Sequence, residues 1–239
     1  MDLDPQGQLA KVLGVESSSG AAGAIDLLLD EVLDEASLDR PSGPAEGIPR
    51  VASRIPGLDL VVGSKALGLY PLLEANPGDA TGHLAKALDH AAGLAAYDFV
   101  LIDAPPSFGP LTLNVLRAAG EVVIPVPLTY LALDGCAALL RTIDTVRARY
   151  GNPGLRITMV VPTFYRRTRL AHELLDRLKA RFPKEIAQTV LGYHVKIDEA
   201  QSRGLSIVEY APRDRAAQAI GALAEELELR APAAPGDPA

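Results

Sequence analysis

The stretch Tyr97-Asp-Phe-Val-Leu-Ile-Asp103-Ala-Pro-Pro106 decides the fold, because it joins an apolar run to an aspartate and two prolines. A continuous apolar run is typical of a strand buried on both faces of a parallel sheet. Asp103 then lies at the carboxyl end of that strand, where α/β folds bind ligands, and it could hold Mg²⁺ and its waters against phosphates. The prolines end the strand and stiffen the loop. The alternative is an aspartate that only caps the next turn or helix.

Other apolar runs of the chain alternate with segments of helical period, and this order predicts a doubly wound α/β fold. Its sheet should be mostly parallel, with helices on both faces. We expect one domain over residues 1–230 and a disordered tail over 231–239, APAAPGDPA. The further predicted strands are Leu58–Val62, Glu121–Val126 and Ile157–Val161. The predicted helices are Gly82–Leu94, Leu111–Ala119, Leu133–Tyr150, Thr168–Phe182 and Arg213–Leu229.

The composition narrows the class of protein. The chain has 239 residues, 48% of them hydrophobic, and a net charge of −7. Acidic residues dominate up to Asp103 and basic residues dominate slightly after it, which suggests that the second half meets anions. The single cysteine, Cys136, excludes an internal disulfide and a multi-cysteine zinc site. The polar, acidic start is not a signal peptide, and no apolar run is long enough to span a bilayer. These features predict a cytoplasmic protein with no membrane partner.

A second motif, Asp2-Leu-Asp4-Pro-Gln-Gly7, stands at the start of the chain. Carboxylates at positions i and i+2 of an extended segment point to the same side. Asp2 and Asp4 could therefore flank a metal ion or a water molecule. The alternative is a polar turn without a chemical role.

The two motifs, in this order, resemble the ParA/Soj family of deviant Walker-type partitioning ATPases, relatives of the septum-site protein MinD. Three later segments also resemble family patterns: Val123–Arg147, Val160–Leu178 and Val195–Leu227. Two departures stand out. The family has an aspartate where Arg166 follows Tyr165, and the segment Asp198–Gly204 lacks the family's proline and lysine.

The resemblance implies a deviant Walker A motif, K-G-G-x-G-K-[ST]-[ST], on a strand, loop and helix ahead of the DLDPQG segment. No such motif occurs in the sequence. Two explanations are open: a misplaced start codon, or a truncated or degenerate paralogue. In the family that strand lies inside the sheet, so neighbouring strands would lose backbone partners without it. The chain as written supplies carboxylates but neither the phosphate cradle nor its lysines, and we expect it not to hydrolyse ATP appreciably.

The resemblance also implies residue roles around ATP and Mg²⁺. Asp4 would position the attacking water, with Asp2 as its partner near the metal. Asp103 would be the Walker B carboxylate that holds Mg²⁺. Pro105 and Pro106 would begin the switch region that senses the γ-phosphate. The expected nucleotide contacts are Pro162, Thr163, Tyr165 and His194.

A basic cluster runs from Arg166 to Lys184, where seven basic residues stand against two acidic ones. ParA-like dimers bind DNA without sequence preference through C-terminal basic residues, by neutralising phosphates. The alternative is an ordinary solvated helix face. The predicted DNA contacts are Arg166, Arg167, Arg169, Arg203, Arg213 and Arg215.

The resemblance therefore implies a chromosome- or plasmid-partitioning ATPase. It would form a homodimer with ATP, bind the nucleoid in the cytoplasm, and hydrolyse ATP when a ParB-type centromere-binding partner stimulates it. One alternative is a non-catalytic relative that binds DNA or a partner without nucleotide. Another is an unrelated α/β enzyme that uses Asp103 for a metal.

Overall fold

The computed structural model describes residues 1–15, 22–35, 48–70, 81–91, 93–107, 109–130 and 132–231. The chain divides into two compact units. Unit 1 comprises Met1–Ala119 and Arg149–Asn152, and unit 2 comprises Gly120–Ala148 and Pro153–Ala239. The single domain over 1–230 stays a prediction. The predicted tail lies outside the described residues, apart from Ala231.

Unit 1 holds short strands and mostly short helices. Strands β1 (Val51–Ala52) and β2 (Asp59–Leu60) pair antiparallel, with Val51 opposite Leu60. The helices of this unit are α1 (Gln8–Val12), α2 (Ala24–Glu35), α3 (His83–His90) and α4 (Pro110–Ala118), with 3₁₀ turns at Lys65–Leu69 and Leu94–Ala96.

The start of the chain lies between two extended segments of unit 1. On one side the Asp2 amide donates to the Val61 carbonyl at 3.0 Å. On the other side the Leu3 amide donates to the Asp103 carbonyl, and the Asp103 amide to the Met1 carbonyl, both at 2.9 Å. Asp2 and Asp103 pair in parallel. Leu3 is 1% exposed and packs in an apolar core with Leu28, Leu67, Tyr70 and Leu84.

Unit 2 is built on a parallel strand pair. Strand β3 (Glu121–Pro127) lies beside β4 (Arg156–Thr163), from Glu121 opposite Arg156 to Pro127 opposite Thr163. The helices are α5 (Ala132–Arg149), α6 (Arg169–Arg181), α7 (Val195–Ser202), α8 (Ile207–Tyr210) and α9 (Arg215–Arg230). Side chains fix several of their N-termini: Thr168 caps α6, Asp214 caps α9, and Ser206 forms a capping box with Glu209 on α8.

These elements confirm the predicted α/β class with parallel strands. The five predicted helices are found, with ends that differ by up to four residues; α9 begins at Arg215 and not at Arg213 because Asp214 caps it. The strand predicted at Glu121–Val126 becomes β3, and the one at Ile157–Val161 becomes β4. Only Asp59–Leu60 of the predicted strand Leu58–Val62 is regular.

The segment Phe99–Asp103 was predicted to be a strand buried on both faces, but much of it is exposed. Its residues Phe99, Val100 and Leu101 are 46%, 41% and 64% exposed. These side chains are exposed because only one side of the segment has backbone hydrogen-bond partners. Leu101 and Asp103 bond to the Met1–Leu3 segment, whereas none of the backbone hydrogen bonds found within the described ranges involves Val100 or Ile102. Within this segment only Asp103 forms a bridge, to Asp2, so the predicted strand is not regular, and its other side is an open, apolar edge of unit 1.

In the parts of the chain that the structure describes, no helix combines the length and the apolar character that crossing a bilayer requires.

Candidate active site

Three carboxylates meet in unit 1 where two neighbouring extended segments end. The parallel pairing of Asp2 with Asp103 places their backbones side by side. Asp4 follows two residues after Asp2, and its charge acts on both of the other aspartates. The structure thus brings Asp103 close to Asp2 and Asp4, although about a hundred residues of sequence separate it from them.

Asp2 uses its carboxylate to hold the chain that follows it. Its side chain is completely buried. One oxygen accepts from the Asp4 amide at 3.1 Å and the other from the Leu9 amide at 3.2 Å. Burial raises the pKa of Asp2, while these two amides act to lower it. Because both oxygens are engaged by backbone, the geometry makes Asp2 a support for the Asp4 loop.

Asp4 stands at the start of a tight turn. Its Oδ1 accepts from the Gln6 amide at 2.9 Å, and its carbonyl accepts from the Gly7 amide at 3.0 Å. Gly7 has φ 58°, a left-handed conformation that glycine adopts without strain, and α1 begins directly after it. The turn fixes the Asp4 backbone and leaves its side chain only half-buried.

Asp103 is the exposed member of the group. Desolvation of its carboxyl raises its pKa, and the charges of Asp2 and Asp4 raise it further. A cation beside Asp103 would relieve this repulsion. No cluster of three or more histidine, cysteine or acidic groups that could hold a metal exists in the described ranges. One or two carboxylates without a full protein cage suit Mg²⁺, which keeps waters and binds substrate phosphates.

The loop after Asp103 is tied to α4. Pro105 is buried and Pro106 is exposed. The Thr112 hydroxyl, on the first turns of α4, hydrogen-bonds the Ser107 carbonyl and lies 3.5 Å from the Pro105 carbonyl. Sequence reasoning missed Thr112. Its only signal was a hydroxyl one turn into the helix that follows the two prolines.

Glycines allow the segments around Asp2 to approach closely. A Cβ on Gly63 would lie 2.7 Å from the Asp2 carboxyl carbon, and one on Gly7 would lie 2.9 Å from the Gly63 carbonyl oxygen. Neither distance is possible for a real side chain. Sequence reasoning also missed Gly63, although a glycine directly after an apolar run is a signal of close backbone approach.

The predicted nucleotide contacts lie in unit 2, at the end of β4 and before α7. Tyr165 pairs in parallel with Gly192, so the two predicted segments are neighbours. Pro162 is buried and His194 is half-buried. The Tyr165 hydroxyl lies 3.0 Å from His172 Nε2. The Thr163 hydroxyl is buried and has no hydrogen-bond partner within the described part of the chain.

The predicted DNA contacts are also in unit 2, and all are exposed: Arg166, Arg167, Arg169, Arg203, Arg213 and Arg215. Their surroundings differ. Arg169 pairs with Glu173 at 2.9 Å. Arg166 stacks over Tyr193, and Arg203 over Tyr210, with guanidinium carbons 4.7 and 5.2 Å from the ring centres. These exposed arginines can reach phosphates. That they form a DNA-binding surface stays a prediction.

Replacing Gly63 by alanine should disturb the carboxylate group through Asp2. The added Cβ must push the Asp2 carboxyl or its own backbone aside, so we expect a loss of about 1–3 kcal/mol in the free energy of unfolding. Urea denaturation measures it. Gly154→Ala is the matched control, because a Cβ there meets nothing within 4 Å. Equal stability of Gly63→Ala and Gly154→Ala would contradict the packing described around Asp2.

Replacing Asp103 by asparagine should stabilise the protein at neutral pH. The folded state raises the pKa of Asp103, so its contribution is fully present below the ordinary value of 3.8 and is lost as pH rises through the raised pKa. At pH 7 the ionised carboxylate therefore costs stability, and Asp103→Asn removes that cost. We expect a higher Tm at pH 7 and a difference that shrinks towards pH 4.

Thermal melts across this pH range, with Asp98→Asn as the control on the same segment, measure the effect. An Asp103→Asn protein that melts below wild type at pH 7 would contradict the electrostatics assigned to the group.

Comparison with known proteins agrees with this geometry. A family model described as an AAA domain matches residues 1–157. The chain is 37% identical to the chromosome-partitioning ATPase Soj of Thermus thermophilus, over 96% of this chain and 82% of that protein. It is 31% identical to the chromosome partitioning protein ParA of Caulobacter vibrioides, over 96% and 82% of the two chains.

Solved structures agree in fold. The apo McdA protein of Cyanothece superposes with a TM-score of 0.75 at 19% identity, over 95% of this chain and 85% of that one. Cobyrinic acid a,c-diamide synthase from Mycobacterium smegmatis, with bound ADP and magnesium, gives a TM-score of 0.64 at 29% identity, over 85% and 76%. The predicted P-loop NTPase type of α/β fold is thereby confirmed, and the chain belongs to the ParA/Soj family of chromosome-partitioning ATPases.

Proposed function

We propose that this protein acts in chromosome or plasmid partitioning through the Mg²⁺-dependent hydrolysis of ATP. One observation carries the proposal: Asp2 and Asp103 pair at the ends of adjacent parallel segments, and Asp4 follows two residues after Asp2, near enough for its charge to act on Asp103, in a chain that matches a Soj ATPase over nearly its whole length. Phosphoryl transfer depends on positioning and electrostatics, and this pair of carboxylates suits both tasks.

The roles follow from the surroundings of each carboxylate. Asp103, exposed and repelled by its neighbours, would hold Mg²⁺, which supplies positive charge to the phosphates when bound. Asp4, set by its turn, would orient the attacking water. Asp2 would hold the Asp4 loop through its two amide contacts. The loop at Pro105 and Pro106, tied to Thr112, would report on the γ-phosphate.

Unit 2, taken by itself, gives support to the predicted nucleotide contacts. The Thr163 hydroxyl is buried without a hydrogen-bond partner in the described part of the chain, and it offers a polar contact to a nucleotide beside Pro162, Tyr165 and His194. The open edge at Phe99–Leu101 offers a place for the strand that carries the family's Walker A loop. That loop would add the backbone amides and lysines on which phosphate binding relies.

Joining that segment to the chain tests the ATPase proposal. We expect a protein with the Walker A strand, loop and helix of Thermus Soj placed ahead of Met1 to hydrolyse ATP and to dimerise with it. Asp4→Ala should lower turnover by about 10²-fold or more and trap the ATP-bound dimer. Asp103→Ala should instead weaken Mg²⁺-dependent nucleotide binding about tenfold or more, because the metal loses its carboxylate.

Gel filtration with ATP and a phosphate-release assay separate these outcomes, with Asp98→Ala as the control. A joined protein that stays monomeric and inactive in every variant, yet still binds DNA, would favour the alternative of a non-catalytic relative. Identical defects in the Asp4→Ala and Asp103→Ala proteins would contradict the division of roles.

We further infer that the ATP-bound homodimer binds the nucleoid through the basic surface of unit 2 and is released by a ParB-type partner. Arg167 and Arg213 are exposed, and no ion pair found within the described ranges involves either of them. Contacts from such residues go to phosphates and carry no sequence information.

Salt titration of duplex DNA binding tests this surface. Arg167→Ala combined with Arg213→Ala should weaken binding to all duplexes alike and flatten the slope of log K against log salt, by about 0.9 for each phosphate that is no longer neutralised. Arg141→Ala with Arg149→Ala, two exposed arginines of α5, removes the same charge elsewhere. Equal effects of the two double variants would mean that net charge alone, and not this surface, drives binding.

A further inference from the structure

An exposed aromatic platform lies beside the basic loop of unit 2. Phe164 is 54% exposed and Tyr193 is 42% exposed. Their ring centres are 6.3 Å apart and their planes are tilted by 34°. Arg166 covers Tyr193 at 4.7 Å. We call these three side chains, Phe164, Arg166 and Tyr193, the stacking platform.

The backbone holds the platform in place. The Tyr165 amide donates to the Leu191 carbonyl and the Tyr193 amide to the Tyr165 carbonyl, both at 3.1 Å. The Tyr193 hydroxyl donates to Asp198 at 3.0 Å. Two short segments are thus fixed side by side, and the tyrosine ring cannot turn away. A rigid, exposed pair of rings is a preorganised surface and not a chance exposure of apolar side chains.

Phe164 is held outward at a conformational cost. Its φ is 53°, and within the described ranges no other non-glycine residue has a positive φ. The left-handed region is unfavourable for an aromatic residue, and such strain persists where the surroundings over-determine it. Strained residues are concentrated at ligand sites. The strain is thus a second, independent indication that this ring has a ligand.

The charge around the platform restricts the class of ligand. The loop from Arg166 to Arg169 carries three arginines, of which Arg169 pairs with Glu173, while Asp198 accepts from the Tyr193 hydroxyl. No ion pair found within the described ranges involves Arg166 or Arg167, so these two cations favour a ligand that combines flat π surfaces with negative charge. Unpaired nucleotides offer both, because base faces are open for stacking and phosphates follow at regular intervals. Bases in duplex DNA are stacked on each other and cannot lie on a protein ring.

We propose that the stacking platform binds unpaired bases of single-stranded nucleic acid. Phe164 and Tyr193 supply the ring faces, Arg166 adds a planar cation, and Arg167 meets the phosphates. This binding mode differs from the sequence-independent duplex contact proposed above and does not depend on ATP hydrolysis.

Fluorescence anisotropy with a labelled oligo-dT strand and a duplex of equal length tests the proposal on the 239-residue chain. Phe164→Ala and Tyr193→Ala should each weaken oligo-dT binding by about 5- to 100-fold, and change duplex binding little. The salt slope for oligo-dT should stay unchanged in Phe164→Ala, because stacking releases no counterions, and should flatten in Arg167→Ala. Tyr193→Phe should keep most of the affinity.

A glycine variant separates ligand binding from folding. Phe164→Gly relieves the positive φ that Phe164→Ala keeps, so its Tm should lie roughly 2–4 °C above that of Phe164→Ala, while oligo-dT binding is lost in both. Phe99→Ala, at an exposed aromatic residue of unit 1, should leave binding unchanged. A Phe164→Gly protein that melts below Phe164→Ala would mean that the backbone at position 164 is not strained, and would overturn the proposal.

Other results would also overturn it. Unchanged oligo-dT affinity in Phe164→Ala and Tyr193→Ala would exclude stacking. An equal loss of duplex affinity would make the platform part of the duplex face. Adenosine monophosphate could also displace oligo-dT at the concentration at which it saturates the chain without oligo-dT. That result would mean that the two rings belong to the nucleotide site.

Discussion

The structure of unit 1 depends on the backbone hydrogen bonds of Met1–Leu3. This segment has a partner on each side, the Val61 carbonyl at 3.0 Å and the Asp103 carbonyl at 2.9 Å. Leu3 and Asp2 are buried, so their backbone groups need protein partners in place of water. Through these few bonds, a turn at the start of the chain and an aspartate a hundred residues later come to share one site.

The three aspartates of that site have different environments, and the different roles proposed for them rest on this difference. Asp2 engages both carboxylate oxygens with the amides of Asp4 and Leu9. Asp103 faces solvent with its pKa raised by desolvation and by its acidic neighbours. A carboxylate with a raised pKa beside other acidic groups is often found at functional sites, and this environment supports the metal-binding role proposed for Asp103.

Sequence patterns predicted the long elements best. The helices and the strands β3 and β4 have strong periodicity and local caps, which a single sequence reveals. The predicted burial of Phe99–Leu101 was wrong, because burial depends on neighbours and not on apolar character. The motifs alone named Asp4 and Asp103 as candidate site residues, and their roles stay predictions. The contacts of Asp2 could not be predicted, because the amides that donate to it depend on how the chain turns towards Leu9. Thr112 and Gly63 could not be predicted either, because their importance comes from contacts that form only in the folded chain.

We propose above that Asp103 holds the metal ion of a partitioning ATPase and that Asp4 orients the water. The most direct test is a crystal structure of the protein joined to the Soj Walker A segment, carrying Asp4→Ala and soaked with ATP and Mn²⁺, with anomalous scattering used to locate the metal. The account predicts one metal peak between the Asp103 carboxyl group and the nucleotide phosphates. A metal bound to the nucleotide with Asp103 turned away from it would contradict the account.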